Sequence, residues 1–415
     1  MDSDVEWKDL SLGEVIELKR GYDLPKGKRM PGRVPIVSSS GVSDFHSEAM
    51  VKGPGVVTGR YGTIGEVFYV DEDYWPLNTT LYVRDFKGND PRFISYLLRT
   101  LDFQAYSDKG AVPGLNRNHL HLAKVRLPGK TAQKSIARVL SSFDSKIDLN
   151  CRINQTLEAM AQAIFKSWFV DFDPVKAKIV AIQDGRDPLR AAMSAISGKA
   201  EPELDALPPE QYEKLAATAA LFPEEMEASE LGEIPRGWKV QRVGNVLELV
   251  YGKALKSTDR QEGTVPVYGS GGITGYHNIP LVPHGSIIVG RKGTVGSLYW
   301  EDEPFFPIDT TYYVRPLAAT LTFCYYTMQT LGLEKMNTDA AIPGLNRENV
   351  YRLELVLPDP DTLLVFDLEA TTLRKAMRAN SGASKSLAAL NDILLLKLLS
   401  GELSVEAIAE QAGIA

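Results

Sequence analysis

The chain has 415 residues, 44% of them hydrophobic and 24% charged, with a net charge of −7. This is the composition of an ordinary soluble protein with enough length for two or three domains. No apolar run approaches the ~18 residues of a membrane-spanning helix, and the acidic start, Met1-Asp2-Ser3-Asp4, lacks a signal-peptide core. Cys151 and Cys324 share no CxxC spacing, which fits a reducing cytoplasm and argues against a zinc site. The charge is uneven. Between Phe172 and Pro235 stand 13 acidic and 6 basic residues, so the rest of the chain is neutral. Global charge therefore neither supports nor excludes a nucleic-acid partner, and the local clustering of Arg and Lys decides.

In chain order, residues 1–130 begin with a short apolar segment after Trp7. Short strands broken by Gly and Pro follow, then a helix expected over 91–101. Strands with a helix on one small domain predict an α+β class. Residues 131–172 form a rod. Ile136, Leu140, Phe143, Ile147, Leu157, Ala161, Ile164 and Trp168 recur in steps of three and four, the spacing of a coiled-coil seam. About 40 residues at 1.5 Å each give about 60 Å, and such a rod needs a partner helix. Residues 173–230 read as an acidic, solvated connector with short helices.

The chain then repeats itself. Val34-Pro35-Ile36-Val37 matches Val265-Pro266-Val267-Tyr268. Thr58-Gly59-Arg60-Tyr61-Gly62-Thr63 matches Val289-Gly290-Arg291-Lys292-Gly293-Thr294. Trp75-Pro76-Leu77-Asn78-Thr79-Thr80 matches Phe306-Pro307-Ile308-Asp309-Thr310-Thr311, all at an offset of 231. Ala111-Val112-Pro113-Gly114-Leu115-Asn116-Arg117 matches Ala341-Ile342-Pro343-Gly344-Leu345-Asn346-Arg347 at 230. Residues 231–358 are thus a second copy of the first domain, with its helix expected over 321–331. A second rod covers 359–403 and a tail covers 404–415. Its seam holds Phe366, Ala370, Leu373, Met377, Asn380, Ser384, Leu387, Asn391, Leu394 and Leu398. In an antiparallel pair centre meets centre, so Asn150 and Asn154 should face Asn380 and Ser384 and fix the register.

The chain shows no catalytic motif. There is no GxxxxGK[ST], and the glycines of 59–65 belong to turns. His46, His119, His121, His277 and His284 sit in no HExxH or triad pattern. Asp359, Asp361 and Glu369 read as helix-start charges better than as nuclease carboxylates. No Asn-Pro-Pro-Tyr or Asp-Pro-Pro-Tyr stretch is present to hold a base amine for methyl transfer.

Binding is the reading that stays. Arg60, Tyr61 and Thr63, and Arg291, Lys292 and Thr294, occupy matching glycine turns able to meet phosphates and guanine edges. Solvated loop charges explain them equally well. Asn116 and Arg117, with Asn346 and Arg347, carry the same ambiguity, since they can equally form a structural turn. Ser38, Ser39 and Ser40 stand where the second copy has Gly269, Ser270 and Gly271, a different loop on a shared scaffold.

The residues also match a family. Gln155-Thr156-Leu157-Glu158-Ala159-Met160-Ala161, Ile164-Phe165-Lys166-Ser167-Trp168-Phe169-Val170-Asp171-Phe172 and Ser229-Glu230-Leu231-Gly232-Glu233-Ile234-Pro235-Arg236-Gly237-Trp238 resemble the specificity subunit of type I restriction–modification enzymes. The resemblance covers essentially the whole chain. It implies two target recognition domains on an antiparallel, pseudo-twofold coiled coil that acts as a ruler between the halves of an asymmetric DNA site. It also implies two methyltransferase subunits and ATP-driven restriction subunits as partners. S-adenosylmethionine would be held by the methyltransferase, with no cofactor or metal on this chain. The acidic connector departs from the pattern. The rival reading is a scaffold without catalysis that binds protein or glycan.

Overall fold

The computed structural model describes residues 7–108, 114–336 and 344–405. The Ala111–Pro113 and Ala341–Pro343 stretches of the repeat and most of the tail lie outside the described residues. The chain divides into one unit of residues 1–152 and 380–415 and another of residues 153–379.

In the first unit, strands Glu17–Arg20, Thr80–Asp85, Gly55–Gly59 and Val67–Val70 form an antiparallel sheet in that order. A second sheet joins Gly41–His46, Val34–Ser38 and Trp75–Pro76, with the last pair parallel. Both faces of the middle strand Gly55–Gly59 are buried, which its Gly-Val-Val-Thr-Gly run anticipates. Helix Pro91–Arg99 packs against this sheet through Phe93, Ile94, Leu97 and Leu98. Asp90 caps it by accepting from the Phe93 amide at 2.9 Å, and a proline occupies its first turn. Strand Lys8–Ser11 pairs with Lys124–Leu127, so the domain closes where it opened and the rod leaves from the closing strand.

The second unit repeats this plan. Its four-stranded sheet is Leu247–Tyr251, Thr311–Pro316, Ser286–Gly290 and Leu298–Glu301, and its three-stranded sheet is Gly272–His277, Val265–Gly269 and Phe306–Pro307. Even the β-bulge recurs, at Ile36/Val37 and at Val267/Tyr268. Helix Leu321–Thr330 stands for Pro91–Arg99, and Lys239–Arg242 closes on Glu354–Leu357. The fold class is α+β in both copies.

The rods are the helices Lys130–Phe169 and Pro360–Ser400. Each unit holds one half of each rod, and the halves run antiparallel. In the first unit Ile136, Ala137 and Leu140 join Leu394, Leu395, Leu398 and Leu399 on the domain core. In the second, Phe165, Trp168 and Phe169 join Leu363, Phe366 and Ala370. The acidic segment is more than a solvated connector. Helices Pro188–Ser197 and Pro209–Ala220 pack around buried Ala192, Met193, Leu204 and Ala219, and helix Asp173–Gln183, packed on the first of them, joins Val175 and Ile179 to the second domain's core. The Lys178 ammonium is buried there and donates to the Phe222 carbonyl at 2.6 Å. Burial lowers its pKa from the usual 10.5.

Three histidines of the domains serve the fold. His46 and His277 accept from the Met30 and Gln261 amides at 3.0 and 3.1 Å, at matching positions. His121 Nε2 accepts from the Leu18 amide at 3.0 Å, a job the Tyr351 hydroxyl performs for Leu249 at 2.8 Å. Burial, then the Arg117 and Lys87 charges, lower the His121 pKa from the usual 6.5. The unfolded chain therefore binds the proton more readily than the folded one. The stability this contact supplies is present above pH ~6.5 and is lost as pH falls through the folded value. His121→Tyr should flatten this dependence: Tm measured at pH 7.5 and 5 should fall less in the variant than in the parent. Equal falls would contradict the assignment.

Candidate nucleic-acid interface

Two turns and one strand end come together in the same way in each copy. In the first, the chain leaves strand Gly55–Gly59 and the Arg60 and Tyr61 amides both donate to the Thr79 carbonyl, at 2.8 and 3.1 Å. The Leu115 amide then donates to the Arg60 carbonyl at 2.9 Å, which draws the Asn116–Arg117 turn alongside. Tyr61 lies against Gly114, where a Cβ would overlap its ring. The second copy repeats each contact. Arg291 and Lys292 donate to the Thr310 carbonyl at 2.8 and 3.1 Å, and Leu345 donates to the Arg291 carbonyl at 2.8 Å. The paired cation turns and the paired Asn-Arg turns, far apart in sequence, are thus one feature.

In the first copy they line an open cleft of about 370 Å³, with Arg20, Arg60 and Arg117 around Tyr61, Leu81 and Asn118. No carboxylate lines it. The Arg60 guanidinium lies 4.4 Å from the Tyr61 ring centre, a cation–π contact that holds the cation without neutralising it. In the second copy Arg291 and Arg347 lie 4.9 and 5.0 Å from the Tyr251 ring centre, and Arg291 donates to the Asp309 carbonyl at 3.0 Å. Glu348 puts a carboxylate 3.4 Å from the Arg347 Nε, and the Asp309 side chain is exposed.

Other residues expected at the interface serve its framework. Asn116 and Asn346 accept from the amides of Asn118 and Glu348 at 3.0 and 2.8 Å, capping the short helices that carry Arg117 and Arg347. Ser38 donates to the Gly41 carbonyl at 3.0 Å and meets Ser40 at 3.1 Å within its own turn. Ser39 and Ser270 lie under Gly62 and Gly293, whose φ values of +80° and +83° are glycine conformations. Ser270 Oγ also accepts from the Thr294 amide at 3.4 Å. Gly269 is buried and offers no side chain, while Thr63, Lys292 and Thr294 are exposed. Sequence reasoning missed Arg20, Tyr251, Asn118 and Glu348. The signal was their equivalence: Arg20 pairs with Leu81, and Tyr251 with Tyr312, at the same register of the two sheets.

The rod seam carries polar contacts. Asn150 Nδ2 donates to Ser384 Oγ at 3.1 Å and toward the Asn380 carbonyl at 3.4 Å, as antiparallel pairing requires. Asn154 Nδ2 donates to the Met377 carbonyl at 3.1 Å, about one turn from Asn380 along the facing rod. A stronger polar layer was not foreseen: Asp144 accepts from Asn391 at 2.9 Å and from the Tyr96 hydroxyl at 2.7 Å. In the second unit the Tyr326 hydroxyl makes the matching reach to the seam, to Glu158 at 3.3 Å, with Arg374 3.9 Å from the same carboxylate oxygen. Asp359 accepts from the Asp361 and Thr362 amides at 3.0 and 2.9 Å, a helix cap, and Glu369 pairs with Lys214 at 2.6 Å. Among the described residues no three His, Cys, Asp or Glu gather to hold a metal, and no helix is long and apolar enough to cross a membrane.

Comparison with known proteins gives the family and the fold. The family described as "Type I restriction modification DNA specificity domain" matches residues 4–159 and 235–362. The specificity subunit of the type I restriction enzyme HindI from Haemophilus influenzae is 28% identical over 461 aligned residues, covering 96% of this chain and 100% of that protein. That of MjaIX from Methanocaldococcus jannaschii is 26% identical over 60% of this chain and 46% of its own length. The crystal structure of a type I S subunit from M. genitalium superposes with a TM-score of 0.53 at 17% identity, covering 96% of this chain and 97% of that one, and speaks for the fold.

Proposed function

We propose that this chain, which belongs to the type I restriction–modification DNA specificity family, reads an asymmetric two-part DNA site with one α+β copy per part and performs no chemistry itself. The observation that carries this reading is the pair of cation-bearing turns, built twice. The same backbone contacts present Arg60 and Arg117 in one copy and Arg291 and Arg347 in the other, while the residues between them differ. A phosphate looks the same at every base pair and a base edge does not, so a common cation frame with unlike side chains suits two different sequences.

The rods supply the surface for methyltransferase and restriction subunits. Paired helices that had no further partner would turn their leucines inward. Here Leu364 and Leu368 in the second unit, and Leu390, Ile393 and Leu396 in the first, stay 44–64% exposed on one rod. Apolar stripes of this kind mark protein contacts. S-adenosylmethionine belongs to the methyltransferase in this reading. The polar seam layers at Asn150 and Asp144 hold the register of the rods, and through it the gap between the two parts of the site.

Selection from random duplex DNA by the full chain with its methyltransferase subunits tests the reading. It should recover two unlike fixed elements separated by a constant gap. Recovery of no fixed element, with binding to a protein or glycan instead, would favour the scaffold reading.

A further inference from the structure

The two copies share an anchoring frame of turns and differ at a few matching positions on it. Register pairing and turn contacts make Arg20 equivalent to Tyr251, Tyr61 to Lys292 and Asn118 to Glu348. Resting on the DNA reading above, we propose that these three pairs are the specificity determinants of the two copies, with Asn118 and Glu348 as direct readers of a base edge, and that Arg60, Arg117, Arg291 and Arg347 bind phosphate.

Glu348 is the most telling member. It is exposed beside Arg347, in the turn that the Leu345 amide draws alongside Arg291. A carboxylate cannot pair with a phosphate, and it accepts hydrogen bonds only. Against DNA its partner is a base amino group, and cytosine N4 is the donor that stands without a competing acceptor on the same base in the major groove. Asn118 offers both a donor and an acceptor, the pattern that matches adenine N6 and N7. Both residues take the same backbone place: their amides, not their side chains, meet the capping Asn116 and Asn346 at 3.0 and 2.8 Å. An exchange between them therefore keeps the local fold.

The platform beneath also differs by copy. In the second, the Tyr251 ring carries both Arg291 and Arg347, at 4.9 and 5.0 Å from its centre. In the first, Arg20 stands at that position and adds a third cation, able to reach guanine O6 and N7.

The test is a reciprocal exchange in the full chain, Glu348→Asn and Asn118→Glu, each put through selection from random duplexes with the methyltransferase subunits. Arg117→Ala and Arg347→Ala run alongside in binding assays at several salt concentrations. Glu348→Asn should turn one cytosine of the second element to adenine, leave the first element intact, and lower binding to the parent site by on the order of 10- to 100-fold. Asn118→Glu should do the reverse in the first element. Each arginine variant should weaken all sequences alike and reduce the salt slope by about 1. If the exchanges leave both elements unchanged while the arginine variants weaken binding, the inference falls and the DNA reading stands. A uniform loss in Glu348→Asn, with no change of preferred base, also sinks it, since Glu348 would then only steer Arg347. If neither the exchanges nor the arginine variants alter binding, these turns are not the DNA interface and the inference falls, while the DNA reading itself falls only if the parent recovers no fixed element.

Discussion

Replacing Phe366 with alanine should lower the unfolding free energy of the second unit by about 3–5 kcal/mol. Phe366 has no exposed surface and stands among four rings, with centroids 5.7 Å from Phe165, 6.2 Å from Trp168, 5.1 Å from Phe169 and 5.9 Å from Tyr326. Those rings come from the other rod and from helix Leu321–Thr330, so no single element can relax into the gap. The cost is the lost transfer energy plus an unfilled cavity. Leu364 lies two residues away on the same helix and is 64% exposed. Its change to alanine should cost within about 0.5 kcal/mol. Urea unfolding of both variants checks the pair. A Phe366→Ala loss no larger than the Leu364→Ala loss would show that the aromatic cluster does not anchor the rods to the domain.

The other large effect is on specificity. Transplanting the second copy onto the place of the first should give a protein whose two DNA elements are alike. The structure says what such a transplant must carry. The first domain seats its rods on Ile136, Leu140, Leu395, Leu398 and Leu399, and the second seats them on Phe366, Ala370, Phe165, Trp168 and Phe169 at the equivalent places. Large and small residues trade positions between the seats. A bare swap would leave voids and clashes of the kind that cost about 1–3 kcal/mol or more each. Residues 232–371 should therefore replace 1–141, with Leu395→Phe, Leu398→Trp and Leu399→Phe on the facing rod. The domain lends itself to this because its first strand, Lys8–Ser11, pairs with its last, Lys124–Leu127, so it begins and ends at one place.

Much of this architecture is legible in the sequence, and the reasons differ by element. The rods declare themselves because a seam repeats over 40 residues, and the structure holds them as Lys130–Phe169 and Pro360–Ser400. The duplication is legible because glycine turns tolerate few alternatives: Gly62 and Gly293 both need positive φ. The cleft is only half legible. Arg60 and Arg117 stand out as repeated cations, yet Arg20 reaches them across the sheet through its pairing with Leu81, a contact that no local pattern encodes. The same holds for Asp144, whose partners Tyr96 and Asn391 lie far away in the chain. The acidic segment misleads for a different reason. Its core is built from few residues, mainly Ala192, Met193, Leu204 and Ala219, and alanines among many carboxylates leave a weak apolar signature. His121 and Tyr351 hide their equivalence because unlike side chains accept the same kind of amide hydrogen bond.

The most direct measurement of the central claim, that each copy reads its own part of one DNA site, is selection from random duplex DNA by the transplanted protein, alongside the parent and with the same methyltransferase subunits. The account predicts that the parent's second element persists unchanged, its first element disappears, and a second occurrence of the retained element takes its place across the gap. Loss or alteration of both elements together, or persistence of the parent's first element without residues 1–141, would contradict it.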